Sequence, residues 1–368
     1  NQFFELIGWN INTNIAIDSF NFDLAPVIIV AFFTALLVMG TKIGARVDGA
    51  LTILKIAIVV FIVVVGFFYI KAENFTPFIP PSEPAASTDG SGVSAVMEQP
   101  LWQWATGMAP SIYGVTGIIS GAALVFFAFL GFDVVATASE ETINPKKNVP
   151  LGIGVGLGLI IVLYTLVAIV TTGMVSYKDL AKQSDPSLAV AFKMVGADWA
   201  AKIISLGIVI GMATVVMVLL LGLTRVVFAM SRDGLLPRGL SHTGKHGTPV
   251  RLQIIVGVVM ALIAACCNVG ILSDMVNIGT LSAFTLVAIS IPIMRKKRPD
   301  LERSFKIPGN PWVPILIAIA NLWLMVNLSV LTWIRFVVWL IVGFAIYFGY
   351  GYRHARLGAG ELEVAAQE

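Results

Sequence analysis

The sequence has 368 residues, of which 57% are hydrophobic and only 12% are charged, and its mean hydropathy is +0.89. These values exclude an ordinary soluble globular protein and are typical of membrane proteins built from long apolar helices. The formal net charge of +3 says little about partners, because in such a protein the placement of charge is more informative than its total. The two cysteines, Cys266 and Cys267, are adjacent in an apolar run and predict no disulfide framework, since neighbouring side chains point in different directions.

The first predicted elements lead into the membrane and back. Residues 1–23 are mixed polar and apolar and predict an external loop. Residues 24–70 predict two spans, 24–40 and 49–70, because a helix of about 20 apolar residues crosses the ~30 Å hydrocarbon layer. The second span contains Lys55, about two turns beyond a short basic loop. Two interpretations stay open: Lys55 extends to the interface, or it occupies a polar site inside the membrane.

Residues 71–112 predict a second external loop, since they are long and rich in Pro, Ser and Gly. The segment 113–294 then opens with an apolar run that contains a Gly-Phe-Asp triplet ending at Asp133. An ionisable residue inside a span costs roughly 3 kcal/mol or more and usually faces a cavity or a partner, so Asp133 is a site candidate. The alternative is that Asp133 is solvated near the helix end marked by Glu140 and Glu141.

The rest of the chain predicts further spans and one strongly basic loop. Within 113–294, spans are predicted at 151–175, 199–230, 250–268 and 271–294. Residues 295–311 form a basic loop that we interpret as a topology signal rather than a nucleic-acid site. Residues 312–352 contain the last two spans, and residues 353–368 form a tail. Together with the apolar run before Asp133, these ranges make nine predicted spans.

Two local patterns suggest ligands that we do not predict. Four glycines spaced two apart, from Gly152 to Gly158, look like a nucleotide-binding loop, but no strand precedes them and small residues commonly serve close helix contact. His242 and His246 have a spacing that permits a metal pair on a helix. Glycines interrupt that helix and no third ligand is nearby. The sequence therefore predicts neither a metal nor a cofactor.

The placement of basic residues predicts the orientation. Sixteen of the 24 lysines and arginines fall in one set of loops, five fall in the other, and three lie within spans. Because Lys and Arg accumulate in cytoplasmic loops, this asymmetry predicts a cytoplasmic C-terminus and an external N-terminus. An odd number of spans agrees with that orientation.

Four stretches carry a resemblance to a known family. They are LTILK at 51–55, FFAFLGFDVVATASEETINPKKNVPLGI at 126–153, SRDGLLP at 231–237 and DMVNIGTLSAFTLVAISIPIMRKKRPDLERSFKIPG at 274–309. In this order, and across essentially the whole chain, they resemble the cationic amino acid transporter family of the amino acid, polyamine and organocation superfamily, and the sequence looks like a bacterial member. The resemblance implies an all-α integral membrane protein with an inverted-repeat transporter fold: two repeats of five helices plus two more, with discontinuous helices near the substrate.

The resemblance also implies how the predicted segments correspond to the family's helices. The nine spans match the fourth to twelfth helices: 24–70 is the end of the first repeat, 113–294 the second repeat, and 312–352 the two C-terminal helices. The first three helices would then lie outside this sequence, which we expect to be truncated or incomplete. In the family, glycine-rich backbone amides of the first helix receive the substrate carboxylate. These amides would therefore also lie outside this sequence.

The resemblance places the substrate at the sixth helix of the family, which is the apolar run before Asp133. If that helix unwinds, the carbonyls of Phe127, Ala128 and Leu130 lose their usual donors and can accept hydrogen bonds from a substrate ammonium. Phe127 or Phe129 would close over the substrate as a gate, or these rings would only pack against neighbouring residues. Asp133 would bind a cationic side chain or hold a proton. The predicted substrate-binding residues are Phe127, Ala128, Phe129, Leu130, Gly131 and Asp133.

The resemblance places Lys55 at the coupling position, where an ammonium replaces the sodium ion of related transporters. Because burial penalises a charged amine, a desolvated Lys55 would release and regain a proton as the site opens to either side. Thr214, near the middle of the family's eighth helix, is a candidate hydrogen-bond partner for that ammonium.

Two classes of function are consistent with these residues. The first is a proton-coupled secondary transporter of cationic or small neutral amino acids that works by alternating access in the plasma membrane. The second is a transport-inactive amino acid sensor on the same fold. An enzyme is not predicted, since no span contains a histidine or a paired nucleophile and base. The expected partners are an amino acid, protons and the lipid bilayer, without nucleic acid, and the sequence does not define an oligomeric state.

Overall fold

The structure, a computed structural model, describes residues 14–17, 20–38, 41–84, 93–109, 111–132, 134–137, 142–183, 186–242, 249–267, 269–300, 303 and 306–355. Asp133, His246 and most of the predicted tail lie outside these residues. The described chain is mainly helical, as expected for apolar segments whose backbone groups must be satisfied within each segment in a membrane.

The helices and strands follow one another in a simple order. The helices are α1 Leu24–Val38, α2 Thr41–Phe67, α3 Val93–Glu98, α4 Leu101–Thr106, α5 Gly114–Val125, α6 Val134–Thr137, α7 Pro145–Met174, α8 Tyr177–Ala181, α9 Leu188–Met194, α10 Asp198–Arg232, α11 Val250–Cys266, α12 Val269–Lys297, α13 Trp312–Val326, α14 Val330–Ile346 and α15 Tyr352–His354. The strands are β1 Asn14–Ile17, β2 Phe20–Asp23, β3 Glu83–Pro84 and β4 Ser111–Ile112. Short 3₁₀ turns cover Ala72–Phe75, Phe126–Phe129 and Arg238–Ser241, and a π-helical turn covers Tyr347–Gly351.

Five helical segments in the described part of the chain are long and apolar enough to cross a membrane. They are Gly49–Phe67, Pro145–Met174, Asp198–Arg232, Val269–Lys297 and Val330–Gly351. Four shorter apolar segments accompany them, at Pro26–Val38, Gly114–Phe129, Val250–Cys266 and Trp312–Val326. At 1.5 Å per residue, a helix of about 15 residues rises only ~22 Å, which is less than the hydrocarbon thickness. The count of nine spans therefore stays a prediction.

Local structure differs from the sequence prediction just before each of the first two predicted spans. Within the predicted loop 1–23, β1 and β2 pair as an antiparallel hairpin in which Asn14 lies opposite Asp23. β-branched and aromatic residues at alternating positions in these strands favour extended structure over a loop. The predicted basic loop before the second span is helical, since α2 already begins at Thr41. A helix can continue past the apolar stretch because its backbone bonds do not depend on side-chain polarity.

One compact unit comprises Asn1–Phe78, Gly154–Cys267 and Tyr350–Glu368. Its first core joins α2, α7, α9 and α10 through buried residues such as Ile62, Phe192 and Ile204. Its second core joins α1, α10 and α11 and includes Val30 and Leu252. Small residues allow close approach, which is how helices associate in lipid, where apolar faces gain little from each other.

The other compact unit comprises Ile79–Ile153 and Asn268–Gly349. Its core joins α5, α12, α13 and α14 through Ala123, Ile278, Leu281, Met325 and Phe336. Outside the helices, β3 pairs with β4, and an isolated bridge joins Pro100 to Ser329. The bridge attaches the short helices of the predicted loop 71–112 to the turn between α13 and α14. The predicted division of the chain into repeats stays a prediction.

Candidate functional site

The apolar helix α5 does not continue as a regular α-helix beyond Val125. Residues Phe126–Phe129 form a 3₁₀ turn, Leu130 is extended with ψ of 145°, and Gly131 has φ of +114°. Positive φ favours glycine, which has no Cβ to crowd the backbone. Regular structure resumes at Val134, where α6 begins. The chain therefore leaves α-helical geometry over the residues for which the sequence analysis assumed an unwound turn.

The break changes the partners of the backbone groups around it. The Leu130 N–H donates to the Phe127 carbonyl at 3.2 Å, and the Val134 N–H donates to the Gly131 carbonyl at 3.2 Å. Both bonds span three residues, whereas those of an α-helix span four. Because a carbonyl oxygen has two lone pairs, the Phe127 carbonyl can accept a second hydrogen bond from a ligand.

Aromatic rings on both sides of the break contact a single ring of α12. The ring centroids of Phe126 and Phe284 are 6.1 Å apart with an edge-to-face angle of 80°, and those of Phe132 and Phe284 are 5.3 Å apart. Phe127 is 45% exposed, and Phe129 is half-buried. The gating role of either residue stays a prediction, as do the substrate contacts of Ala128 and of Asp133, which lies outside the described residues.

Lys55 lies on α2 against a glycine of α10. Its side chain is half-buried, and a Cβ added at Gly211 would lie 3.8 Å from both Cγ and Cδ of Lys55. One turn further along α10, Thr214 is 1% exposed and its hydroxyl donates to the Gly211 carbonyl at 2.9 Å. The structure therefore brings Lys55 to the turn of α10 that ends at Thr214. The coupling role of both residues stays a prediction.

A second glycine explains why α2 and α10 approach so closely. A Cβ added at Gly207 would lie 2.6 Å from Ile58 Cδ1 and 2.8 Å from Ile58 Cγ2, closer than real Cβ contacts. Gly207 and Gly211 form a G-x-x-x-G pair, which is a known signal for close contact between membrane helices. In the sequence the pair indicates a close-contact face on α10, although it does not show which helix meets that face.

Two polar residues of α12 were also missed. Asn277 is fully buried, and its Nδ2 donates to the Leu124 carbonyl in the last turn of α5 at 3.4 Å. One turn earlier, Asp274 accepts a hydrogen bond of 3.2 Å from the hydroxyl of Thr332 on α14. Both residues stand in the motif DMVNIG inside an apolar run, and polar residues in a span are site candidates for the same reason as Asp133.

These features define a polytopic helical membrane protein in which an apolar helix is interrupted between two regular segments. A sequence model of the amino acid permease family matches residues 5–349 of the chain. The chain therefore belongs to the amino acid permease family, within the amino acid, polyamine and organocation superfamily. The family predicted from the four motifs is confirmed.

The chain is similar to transporters from bacteria and from eukaryotes. It is 40% identical over 337 residues to both the methylthioribose transporter and the branched-chain amino acid permease BcaP of Bacillus subtilis (strain 168). These alignments cover 91% of this chain and 66% and 65% of the relatives, so the chain spans about two thirds of their length. It is also 26% identical to human cationic amino acid transporter 4, over 93% of this chain and 67% of that protein.

Proposed function

We propose that the protein is a secondary active transporter of amino acids, cationic or small neutral, that couples uptake to protons and works by alternating access. The observation that carries this proposal is the break between α5 and α6 inside an apolar segment. Irregular backbone at membrane depth persists only where it is buried in protein or lines a cavity, because lipid cannot satisfy its polar groups. Where the broken helix lines a cavity, its backbone carbonyls can accept hydrogen bonds from a substrate ammonium.

The substrate ammonium is bound by the backbone around the break. The carbonyls of Phe127 and Leu130 lie where the chain has left α-helical geometry, and the Phe127 carbonyl retains a lone pair. Asp133 follows the positive φ of Gly131 and supplies the negative charge that favours cationic substrates. Phe127, the more exposed of the two predicted gating rings, closes over the bound substrate.

Lys55 couples transport to protons. The contact with Gly211 supports this role, since Cγ and Cδ of Lys55 lie against α10. The hydroxyl of Thr214 already donates to the Gly211 carbonyl, so its oxygen can still accept a hydrogen bond. Loss of the proton removes the positive charge of Lys55 and one of its three N–H donors, and reprotonation restores both.

The substrate test needs more than one chemical class. Among the relatives, two are named branched-chain amino acid permeases, several are named cationic amino acid transporters, and one is named a methylthioribose transporter. Arginine, leucine, alanine and methylthioribose should therefore be tested in parallel. Only the last lacks an amino group, so the proposed ammonium site predicts that it is transported least.

The full-length protein is purified from the cell and reconstituted in proteoliposomes. The experiment measures its uptake of radiolabelled substrates with and without an inward proton gradient. We expect uptake of at least one amino acid, stimulated by the gradient. Binding without uptake in either condition would instead support an amino acid sensor. Labelling of the basic loop 295–311 with an impermeant reagent, in intact cells and in inside-out vesicles, tests the proposed plasma-membrane orientation, with this loop and the C-terminus in the cytoplasm.

A further inference from the structure

We propose that Asn277 is a positioning residue for the broken helix. Its side-chain amide holds the last turn of α5 and thereby sets the direction of the carbonyls from Phe127 to Leu130. This inference rests on the proposed function, because it assigns those carbonyls to substrate binding. Three observations on α12 support it: a hydrogen bond, a shared face and a buried amide oxygen.

The hydrogen bond joins Asn277 to the end of α5. The last four carbonyls of a helix lack α-helical donors and need partners from elsewhere, above all in an apolar environment. Leu124 is the penultimate residue of α5, and Nδ2 of Asn277 lies 3.4 Å from its carbonyl oxygen. The backbone N–H of Phe126 also reaches this carbonyl, so Asn277 supplies the end of α5 with an additional donor from a second helix.

The face of α12 that carries Asn277 follows α5 through the break. Asn277, Leu281 and Phe284 stand at i, i+4 and i+7, so they lie on one side of the helix. Leu281 is fully buried in the same cluster as Ala123 of α5, and Phe284 contacts the rings of Phe126 and Phe132. Asn277 is the polar member of a surface that contacts the chain before, at and after the break.

The amide oxygen shows that packing alone does not explain this residue. Asn277 is 0% exposed, and its Oδ1 has no hydrogen-bond partner among the residues that the structure describes. A buried polar atom without a partner is destabilising and calls for a specific reason. A leucine, which has the same branching at Cγ, would occupy this position without that cost. What leucine lacks is the donor to Leu124, and we assign the role of Asn277 to this donor.

The test compares Asn277→Leu with the matched control Thr285→Val. Thr285 is also buried on α12, but its hydroxyl donates to the Leu281 carbonyl of its own helix at 2.8 Å, so its loss leaves α5 unaffected. The first measurement is hydrogen exchange of the amides of residues 122–130 in nanodiscs. We expect about tenfold faster exchange in Asn277→Leu and little change in the control.

The second measurement is the split between KM and maximal rate in uptake. Loss of positioning weakens ground-state binding, so KM should rise about tenfold in Asn277→Leu while the maximal rate changes less than about twofold. The control should change neither parameter by more than about twofold. Equal exchange at 122–130 in the two variants, or an equal rise in KM, would overturn the positioning role.

These measurements separate this inference from the proposed function. If the unmutated protein neither binds nor transports any tested amino acid, the proposed function fails, while hydrogen exchange still tests the contact with α5. Asn277→Ala serves as a second variant if Asn277→Leu does not fold. If neither folds and Thr285→Val does, Asn277 is a folding residue and the positioning role is wrong.

Discussion

The two compact units present polar groups to an apolar environment in opposite ways. In one, Lys55 is a charged side chain on an unbroken helix, and it lies against Gly211 of the equally unbroken α10. In the other, the polar groups are backbone carbonyls, and they are presented where α5 ends and α6 has not begun. A side chain can leave the helix axis while the backbone bonds stay intact. A carbonyl can be presented only if the helix opens.

This difference explains what surrounds each group. Lys55 needs only room beside α10: its stem passes Gly211 at ordinary contact distance, and Gly207 lets Ile58 of α2 approach closely. The broken helix needs partners for its ends, and α12 supplies a hydrogen bond from Asn277 and a ring from Phe284. Opening a helix in an apolar medium leaves donors and acceptors that must be satisfied by neighbouring elements. In this protein the broken helix therefore depends on hydrogen bonds and contacts from α12, whereas Lys55 depends on the space beside α10.

The largest expected effect tests the side-chain half of this comparison. Lys55→Ala should abolish the response of uptake to an imposed pH gradient while equilibrium substrate binding survives in part, because only the ammonium carries the coupling proton. Lys71→Ala is the matched control, since Lys71 follows α2 and is exposed. Uptake in proteoliposomes at several imposed gradients measures both. A Lys55→Ala protein that still follows the gradient would remove Lys55 from the coupling mechanism.

The next effect tests whether the backbone half depends on an open helix. Gly131→Ala places a side chain at φ of +114°, which costs about 1–3 kcal/mol, so substrate affinity or uptake should fall roughly tenfold. No atom of the described residues lies within 4 Å of a Cβ added at Gly131, so the expected effect is conformational rather than steric. Gly121→Ala, in α5 and equally unobstructed, should be neutral or slightly stabilising. Equal binding by both variants, measured by isothermal titration, would show that the break does not need glycine.

A smaller effect tests the close contact between α2 and α10 near Lys55. Gly207→Ala brings a Cβ within 2.8 Å of Ile58 Cγ2 and should lower the free energy of unfolding by about 1–3 kcal/mol. Gly211→Ala meets Lys55 only at ordinary contact distance and should leave the melting temperature nearly unchanged. The double variant Gly207→Ala with Ile58→Ala should recover part of the loss, because the clashing side chain is gone. Without such recovery, the two positions are not coupled by contact.

The smallest effect concerns substrate choice at the break. Asp133→Asn should weaken uptake of arginine several-fold more than uptake of alanine, since only arginine places a charge beside the carboxylate. Competition of each substrate with the same radiolabelled amino acid gives the ratio. Equal losses for the two substrates would assign Asp133 to the proton or to the fold rather than to side-chain recognition.

The sequence predicted the break better than it predicted the surroundings of the break. Glycine in an apolar run beside an ionisable residue is a strong signal, and Gly131 indeed has a conformation that other residues rarely adopt. Lys55 was found for the same reason, as a charge in a span. Asp274 and Asn277 gave a weaker signal, because they stand near the start of a predicted span, where a polar side chain can reach water. The start of α2 at Thr41 was missed because basic residues mark the membrane boundary, whereas a helix continues beyond it.

Composition by itself determined that this is a helical membrane protein, and the resemblance carried by its motifs predicted its family and the place where its backbone is interrupted. Only the tertiary structure decided that Lys55 lies on Gly211 and that Asn277 reaches Leu124. The reason is that helical periodicity places residues on a common face but does not say which helix that face meets. In a soluble protein the apolar face would identify the core, but these helices are apolar almost all round. Their contacts are chosen instead by small and polar residues, whose partners become known only when the helices are packed.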